Sequence, residues 1–304
     1  MVEEKICELY PEQEMRCPVH ICIGQEGVAA GVCANLKKDD YVLSNHRSHG
    51  HFLAKGGDLK AMMAEIYGKA SGCSKGKGGS MHLVDLSVNF LGSTPIVAGV
   101  IPVAVGVAFG AAMKKEKKVT AAFFGDAATE EGVFSESLNF ASLKKLPVVF
   151  VCENNLYSVY SPLLVRQPKK RDNLKIANGY GMRAEKCDGN NVAAVYQKAE
   201  RAIKLARQGQ GPSFLQFDTY RYREHCGHNF DNDLGYRSEN EFRHWYKRCP
   251  LDNFEKKLFR QKILNTEQTE CIKKTIEKEI NEAVNFAKDS PFPARKEIFS
   301  DLYA

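Results

Sequence analysis

Oxygen-bearing side chains stand directly after two predicted strands. Asp126 follows the apolar run at 119–124, and Asn154 and Asn155 follow the run that begins at Val148. Because the carboxyl ends of parallel strands meet at one edge of a sheet, these side chains are expected to converge. Carboxylate and amide oxygens suit Mg²⁺, whose shell is usually completed by water and phosphate oxygens. The spacing predicts a magnesium site; the alternative is a plain turn in which Asp126 caps a helix.

The backbone beside Asp126 indicates what the metal would help to hold. Gly125 and Ala127 precede the helix predicted at 133–144, and free N–H groups before a helix can face a diphosphate. A second Gly-rich stretch, Gly76–Gly79, lacks the spacing of a phosphate-binding P-loop and has no strand before it. We interpret this second stretch as a structural loop at the border of the site.

The elements that must position these residues alternate along the chain. Strands are predicted at 41–44, 119–124, 148–152 and 214–218, and helices at 100–113, 133–144 and 192–207. This alternation predicts an α/β fold with a parallel sheet flanked by helices on both faces. From about Glu239 the sequence is charged and helical. We therefore expect one domain over residues 1–240 and a C-terminal helical tail, an extension of the same domain, over residues 241–304.

Composition excludes several classes of protein. The net charge of +6 comes from scattered Lys and Arg, and no basic block interleaved with aromatic residues predicts nucleic-acid binding. No run reaches the roughly 18 apolar residues that a membrane span needs, so no membrane association is expected. The ten Cys contain no C-x-x-C pair, and Cys17, His20 and Cys22 lack a second ligand pair for zinc. Free thiols in a cytoplasmic protein are the expectation.

Several blocks together resemble one enzyme family. They are Gly24–Glu26 with His20 upstream, Ser44–His51, Gly72–His82, the run Gly125-Asp126-Ala127 followed by Asn154-Asn155, and Tyr220–His225. In these blocks the chain is similar to α subunits of thiamine diphosphate-dependent 2-oxo acid and acetoin dehydrogenases. The resemblance covers nearly the whole chain and implies the thiamine diphosphate-binding fold. One position departs from the pattern, because Ala127 stands where the family usually has Gly.

The resemblance assigns roles to individual residues. It implies Asp126, Asn155 and the backbone carbonyl of Tyr157 as ligands of Mg²⁺. It implies cofactor contacts, several of them through the backbone, for a larger set: His20, His46, Arg47, Pro95, Val97, Asp126, Ala127, Ala128, Asn155 and His225. Within this set Arg47 is expected on the diphosphate, and Pro95 and Val97 on the pyrimidine ring. His225 and His46 are the expected catalytic residues, since His exchanges protons near neutral pH.

The resemblance also implies an activity that this chain does not complete alone. A β subunit, in an α₂β₂ assembly, would supply the glutamate that activates the cofactor, because no second Gly-rich α/β domain fits after Asn240. The acyl group would pass to the lipoyl group of an acyltransferase component. The substrate stays open between acetoin, pyruvate and another small oxo compound. Two alternatives remain: a transketolase-like or non-oxidative enzyme, and a non-catalytic scaffold subunit of which Ala127 would be a sign.

Overall fold

The structure, a computed structural model, describes residues 1–301. Eight strands occur in this part of the chain: β1 (Tyr41–Asn45), β2 (Phe90–Thr94), β3 (Thr120–Gly125), β4 (Val148–Asn154), β5 (Tyr157–Ser158), β6 (Ser161–Pro162), β7 (Arg183–Asp188) and β8 (Ser213–Asp218). Six of them form one parallel sheet in the order β2-β1-β3-β4-β8-β7. β5 and β6 form a separate antiparallel pair.

Helices cover both faces of this sheet. The α-helices are α1 (Val2–Leu9), α2 (Glu26–Cys33), α3 (His49–Ala54), α4 (Leu59–Ile66), α5 (Val100–Met113), α6 (Gly132–Leu143), α7 (Leu163–Arg166), α8 (Asn173–Gly179), α9 (Val192–Arg207), α10 (Glu239–Tyr246), α11 (Pro250–Arg260) and α12 (Thr266–Asp289). Among residues 1–301, no helix combines the length and the apolar character that a bilayer crossing requires.

The central strands are buried on both sides, and successive side chains along each strand point alternately into two separate cores. Phe123 and Val151 belong to a core that also contains side chains of α1, α2, α4, α9 and α12. Phe124 and Phe150 point the other way, into a core shared with α5, α6 and α8. This alternation is the period of a strand, and burial on both faces explains why β3 and β4 are almost continuously apolar. The predicted parallel sheet with helices on both faces is confirmed.

The sequence-based elements agree closely where the pattern is strong and fail at the sheet edges. Helices 100–113 and 192–207 have the predicted bounds. Strands β2 and β7 were not predicted. β2 contains Gly92, and four of the six residues of β7 are charged, which is a composition found in edge strands. Neither shows a buried-strand signature, so only the pairing with β1 and β8 identifies them.

The C-terminal part is helical, as expected from Glu239 onward. Helix α12 begins with a capping box, in which Asn265 and Gln268 each accept the other's backbone N–H. Its buried residues Ile280 and Ala283 belong to the core that contains Phe123 and Val151. The division into residues 1–240 and 241–304 stays a prediction, and its last residues, 302–304, lie outside the described part of the chain.

A buried carboxylate organises the Gly-rich loop that leads to the site. Glu65 is fully buried at the end of α4 and accepts four backbone N–H groups at 2.8–2.9 Å, from Ser74, Gly76, Gly78 and Gly79. A carboxylate has enough lone pairs for all four donors, whereas the Gln amide replaces one acceptor oxygen by a donor. The loop geometry therefore depends on a charged acceptor at position 65.

Glu65→Gln is expected to lower the free energy of unfolding by about 3 kcal/mol, because two buried N–H groups lose a charged acceptor. Thermal unfolding is expected to shift down by about 5–10 °C. Glu8→Gln is the matched control, since that carboxylate is 63% exposed and forms a surface ion pair with Lys5. A shift no larger than that of the Glu8 variant would show that the loop does not depend on Glu65.

Candidate active site

The predicted site residues emerge from the carboxyl ends of neighbouring strands. His46 and Arg47 follow β1, Asp126 follows β3, and Asn155 follows β4. These three strands are adjacent in the sheet, so their ends bring the side chains to one place. His225 arrives from the loop after β8, and the loop that carries His20 is joined to it by an isolated bridge at Gly227. The edge of the sheet therefore collects residues that are far apart in the sequence.

These residues line one cavity of about 330 Å³. All predicted positions but one contribute to its wall: His20, His46, Arg47, Pro95, Val97, Asp126, Ala127, Asn155, Tyr157 and His225. The exception is Ala128, which is 1% exposed and packs in the core instead. The wall also includes Gly125, whose backbone was expected to face the diphosphate, and six residues that were not predicted: Gln25, Asn45, Met81, Glu153, Ser158 and Val159.

The oxygen donors of the predicted metal site are oriented by their neighbours. Asn155 donates from Nδ2 to Gln25 Oε1 at 2.9 Å, which fixes the amide so that its oxygen is the free acceptor. That oxygen accepts the Tyr157 N–H at 3.2 Å and keeps a second lone pair. Asp126 is buried, and burial raises the pKa of its carboxyl, although an ion pair with Arg166 opposes the rise. Gln25 is thus a functional neighbour whose only sequence signal was its place in the Gly24–Glu26 block.

Three imidazoles face one another in the wall of the same cavity. The ring centroids of His20 and His46 are 4.6 Å apart, those of His20 and His225 5.2 Å, and those of His46 and His225 5.4 Å. Their ring nitrogens lie within 4.8 Å of one another, close enough to suggest a metal site. His20 Nδ1 and His46 Nε2 are buried without a hydrogen-bond partner in the described chain.

The charge around the three imidazoles favours an anion over a cation. Burial, together with the neighbouring charge of Arg47, lowers the pKa of His20 to about 3, of His46 to about 2 and of His225 to about 4. The rings are therefore neutral at pH 7 and can donate or accept a proton. Arg47 lies among them as a fixed positive charge, which disfavours a metal ion and suits a phosphate group.

Arg47 also ties two loops of the site together. Its guanidinium donates to the carbonyl of Ile21 at 2.5 Å and to the carbonyl of His225 at 3.1 Å. Its own N–H donates to Asn45 Oδ1 at 2.8 Å. Burial lowers the pKa of Arg47 to about 10, which still leaves it charged at neutral pH. Arg47 is therefore both a candidate anion ligand and the link that holds His225 against the loop of His20.

The loop that carries His225 is anchored by a buried carboxylate. Asp231 pairs with Arg221, with Nη1 and Oδ2 3.4 Å apart, and with Arg237. It also accepts the hydroxyl of Tyr236. The side chains of Asp231, Arg221 and Arg237 are at most 2% exposed. Each buried charge therefore needs its oppositely charged partner to offset the cost of desolvation. This network fixes both ends of the loop between β8 and α10.

Acid is expected to destabilise the protein through the three imidazoles. Their pKa values in the folded state lie below the ordinary value of 6.5, so the unfolded state binds more protons from about pH 6.5 downward. The free energy of unfolding therefore falls as the pH drops through that window. Calorimetry at pH 5 is expected to show Tm at least about 5 °C below its value at pH 7.

His20→Asn is expected to reduce this pH difference in Tm, because it removes one of the groups that charges only on unfolding. The control is His244→Asn, which removes an exposed imidazole on α10. An equal pH difference in the wild type and the His20 variant would assign the acid sensitivity to other groups.

Comparison with known proteins places the chain in a family. The sequence model described as "Dehydrogenase E1 component" matches residues 1–296. The α subunit of acetoin:2,6-dichlorophenolindophenol oxidoreductase from Bacillus subtilis (strain 168) is 41% identical over 303 residues, which cover 99% of this chain and 89% of that relative. The α subunits of the pyruvate dehydrogenase E1 component from Porphyra purpurea and Rickettsia typhi are 38% and 34% identical, over 99% of this chain and 89% and 91% of those relatives.

The chain therefore belongs to the dehydrogenase E1 component family, as a thiamine diphosphate-dependent α subunit of the 2-oxo acid and acetoin dehydrogenase type. The family, the enzyme class and the cofactor predicted from the motifs are confirmed. The residue-by-residue roles stay predictions.

Proposed function

We propose that this chain binds the diphosphate and Mg²⁺ of thiamine diphosphate at the carboxyl edge of its sheet. With a β subunit in an α₂β₂ assembly, it cleaves acetoin or a small 2-oxo acid and passes the acyl group to the lipoyl group of an acyltransferase. The observation that supports this most directly is the cavity that unites Asp126, Asn155, Arg47 and the three imidazoles. The cytoplasm is the proposed compartment, since all ten cysteines are free.

The donor set of the cavity fits the two parts of this cofactor. Asp126 and Asn155 offer a carboxylate and an oriented amide oxygen, and the carbonyl of Tyr157 is a third oxygen of the kind Mg²⁺ prefers. Arg47 and the unpartnered nitrogens of His20 and His46 are suited to phosphate oxygens and to the polar edges of a ring. Asp126 and Arg47 thus place opposite charges in the wall of one cavity.

The residues of this chain would position groups and move protons. Bound thiamine diphosphate supplies a nucleophilic carbon and an electron sink, which is chemistry that side chains lack. His225 is neutral at pH 7 because of burial and Arg47, so it can donate to a developing alkoxide or accept its proton. Arg47 keeps His225 in place through its carbonyl, and the buried Asp231 network holds the rest of that loop.

An apolar helix face supports the proposed β subunit. Helix α5 has an entirely uncharged sequence, yet Val103 is 56% and Met113 70% exposed. Gly106 and Gly110 lie between them, and a Cβ added at either would meet nothing within 4 Å. Two glycines at this spacing let the backbone of another helix approach closely, and an exposed apolar face of this kind marks an association surface. We propose that the β subunit covers it.

Gly106→Leu is expected to weaken assembly with the β subunit by at least about tenfold, because a bulky side chain blocks the close approach of a partner. The same change has space in this chain and improves helix propensity, so it is expected to leave Tm of the isolated chain equal or higher. Sedimentation or titration of the two chains measures the effect. Lys274→Leu, exposed on α12, is the control. Unchanged assembly of the Gly106 variant would place the β subunit elsewhere.

The test of the proposed function is calorimetric titration of thiamine diphosphate with Mg²⁺ into this chain, alone and co-purified with its β partner. We expect metal-dependent binding that strengthens with the partner, and no binding of thiamine without its diphosphate. Screening acetoin, pyruvate and other 2-oxo acids then identifies the substrate. Turnover without a lipoyl protein or other electron acceptor would favour the transketolase-like alternative. No binding in the assembled complex would favour the scaffold alternative.

A further inference from the structure

The carboxylate of Asp126 already has a cationic partner inside this chain. Arg166, the last residue of α7, pairs through Nη2 with Asp126 and through Nη1 with Glu130. The Asp126 side chain is 3% exposed and that of Arg166 11% exposed, so solvent screens the pair weakly. We infer that Arg166 is a built-in competitor of the divalent metal, whose guanidinium neutralises Asp126 in the metal-free chain and leaves it when the metal binds. The inference rests on the proposed function, because it takes Asp126 as a metal ligand.

The guanidinium and the metal exclude each other for reasons of charge. Both are cations, and both would have to lie within contact distance of the same buried carboxylate. Asp126 and Glu130 together carry two negative charges. These balance either one divalent ion or the single charge of the arginine, but not both cations at once. A metal ion at Asp126 would repel the guanidinium at short range in a poorly screened environment, so simultaneous occupation is unfavourable.

The attachment of α7 allows Arg166 to withdraw. The helix has four residues, and its apolar Leu164 and Val165 are 77% and 74% exposed, so these two side chains contribute little packing that would hold it down. Its neighbour Gln167 donates to Glu130 at 2.7 Å, and Arg171 donates to the carbonyl of Thr129. The segment is thus fastened to residues 126–130 by polar side chains. Opening it exposes little apolar surface, which is the property of segments that open at low cost.

Glu130 can keep its ion pair with Arg166 after the pair with Asp126 breaks. It accepts from both Arg166 and Gln167, and it is the more exposed carboxylate of the pair, with 25% of its side chain accessible. When the bond to Asp126 breaks, the guanidinium can keep its pair with Glu130 at the rim of the cavity. The free energy of metal binding would then include the free-energy difference between Arg166 paired with both carboxylates and Arg166 paired with Glu130 alone.

The experiment measures Mn²⁺ binding to the full chain in the presence of inorganic diphosphate, by the electron paramagnetic resonance of free Mn²⁺. Both probes address groups within this chain, so no partner is needed. Arg166→Gln removes the cation and keeps hydrogen-bonding capacity. Lys170→Gln is the control, because it removes one exposed cation from the same segment and leaves the contacts of Arg166, Gln167 and Arg171 in place. We expect the dissociation constant for Mn²⁺ to fall about tenfold in Arg166→Gln and to stay within about twofold in Lys170→Gln. Equal or weaker binding in Arg166→Gln would overturn the inference.

Thermal unfolding gives a second readout that does not depend on activity. Metal-free Arg166→Gln is expected to unfold at lower temperature than the wild type, and the rise in Tm on adding Mn²⁺ with diphosphate is expected to be larger in the variant. A rise no larger than in the wild type would contradict the competition. If the Gln variant does not fold, Arg166→Lys keeps a cation with fewer donors and is expected to bind Mn²⁺ about threefold more tightly than the wild type. Unchanged binding in Arg166→Lys would then overturn the inference.

A further variant distinguishes failure of the proposed metal site from failure of the competition by Arg166. Asp126→Asn in the wild-type background is expected to abolish Mn²⁺ binding. Binding that survives that change would show that the metal lies elsewhere, whatever the Arg166 variants do. Binding that is lost in Asp126→Asn and unaffected in Arg166→Gln would leave the site intact and reject the competitor alone.

Discussion

Asp126→Asn is expected to weaken metal-dependent binding of thiamine diphosphate by at least about 100-fold, because the substitution removes the one carboxylate in the predicted ligand set while keeping its shape. Calorimetric titration of the complex with the β subunit, at fixed Mg²⁺, measures this loss. Two observations make the effect large: the carboxylate is buried, and the other expected ligands, Asn155 and the Tyr157 carbonyl, are neutral.

The matched control is Asp39→Asn, which removes one exposed carboxylate just before β1, at the opposite edge of the sheet from the site. It keeps the same change in net charge and is expected to leave binding within about twofold. If Asp126→Asn still bound thiamine diphosphate in a Mg²⁺-dependent manner, the proposed metal site would be contradicted.

His225→Asn is expected to lower kcat of the assembled enzyme by about 10²–10⁴-fold, the usual contribution of a positioned acid–base group. Its carbonyl, which accepts from Arg47, belongs to the backbone and is retained. The affinity for thiamine diphosphate is therefore expected to change by less than about threefold, since Arg47 and the metal ligands are intact. Steady-state kinetics with the substrate found in the screen, and titration of the cofactor, separate the two effects.

His228→Asn is the control for His225. It lies three positions later in the same loop and outside the wall of the cavity, where its ring contacts Tyr10 with centroids 5.3 Å apart. It is expected to reduce kcat by no more than about threefold. Loss of activity in both variants alike would indicate that the loop as a whole, and not the His225 imidazole, carries the effect.

The part of the site that could be predicted is the part whose signal is local. Asp126 and Asn155 each follow a buried apolar strand, and that pattern is visible within ten residues of sequence. His20, His46 and His225 could be named only through resemblance to a family, because their distances along the chain give no sign that their rings meet. Gln25 and Glu153 were missed as site residues. Gln25 lies within a recognised block and Glu153 directly precedes Asn154, but nothing in either residue type shows that it faces the cavity.

Arg166 shows the limit of sequence reasoning most clearly. In the sequence it is one of many scattered cations, and nothing in its neighbours distinguishes it from a solvated surface residue. Only the return of the chain over residues 126–130 brings it to Asp126, and that return depends on the β5–β6 turn and on contacts made by Gln167 and Arg171. Interactions of this kind depend on through-space distance, which residue type and local spacing do not encode.

The sequence by itself determined the class of fold, the family, the cofactor and the strand ends that carry the proposed metal ligands. Those features follow from hydrophobic period and from motifs whose geometry is local to one strand and one turn. The tertiary structure alone decided the edge strands β2 and β7, the neutral state of three buried imidazoles, the position of Ala128 in the core and the partner of Asp126. Each depends on burial or on contact between distant segments, and burial is a property of the folded chain as a whole.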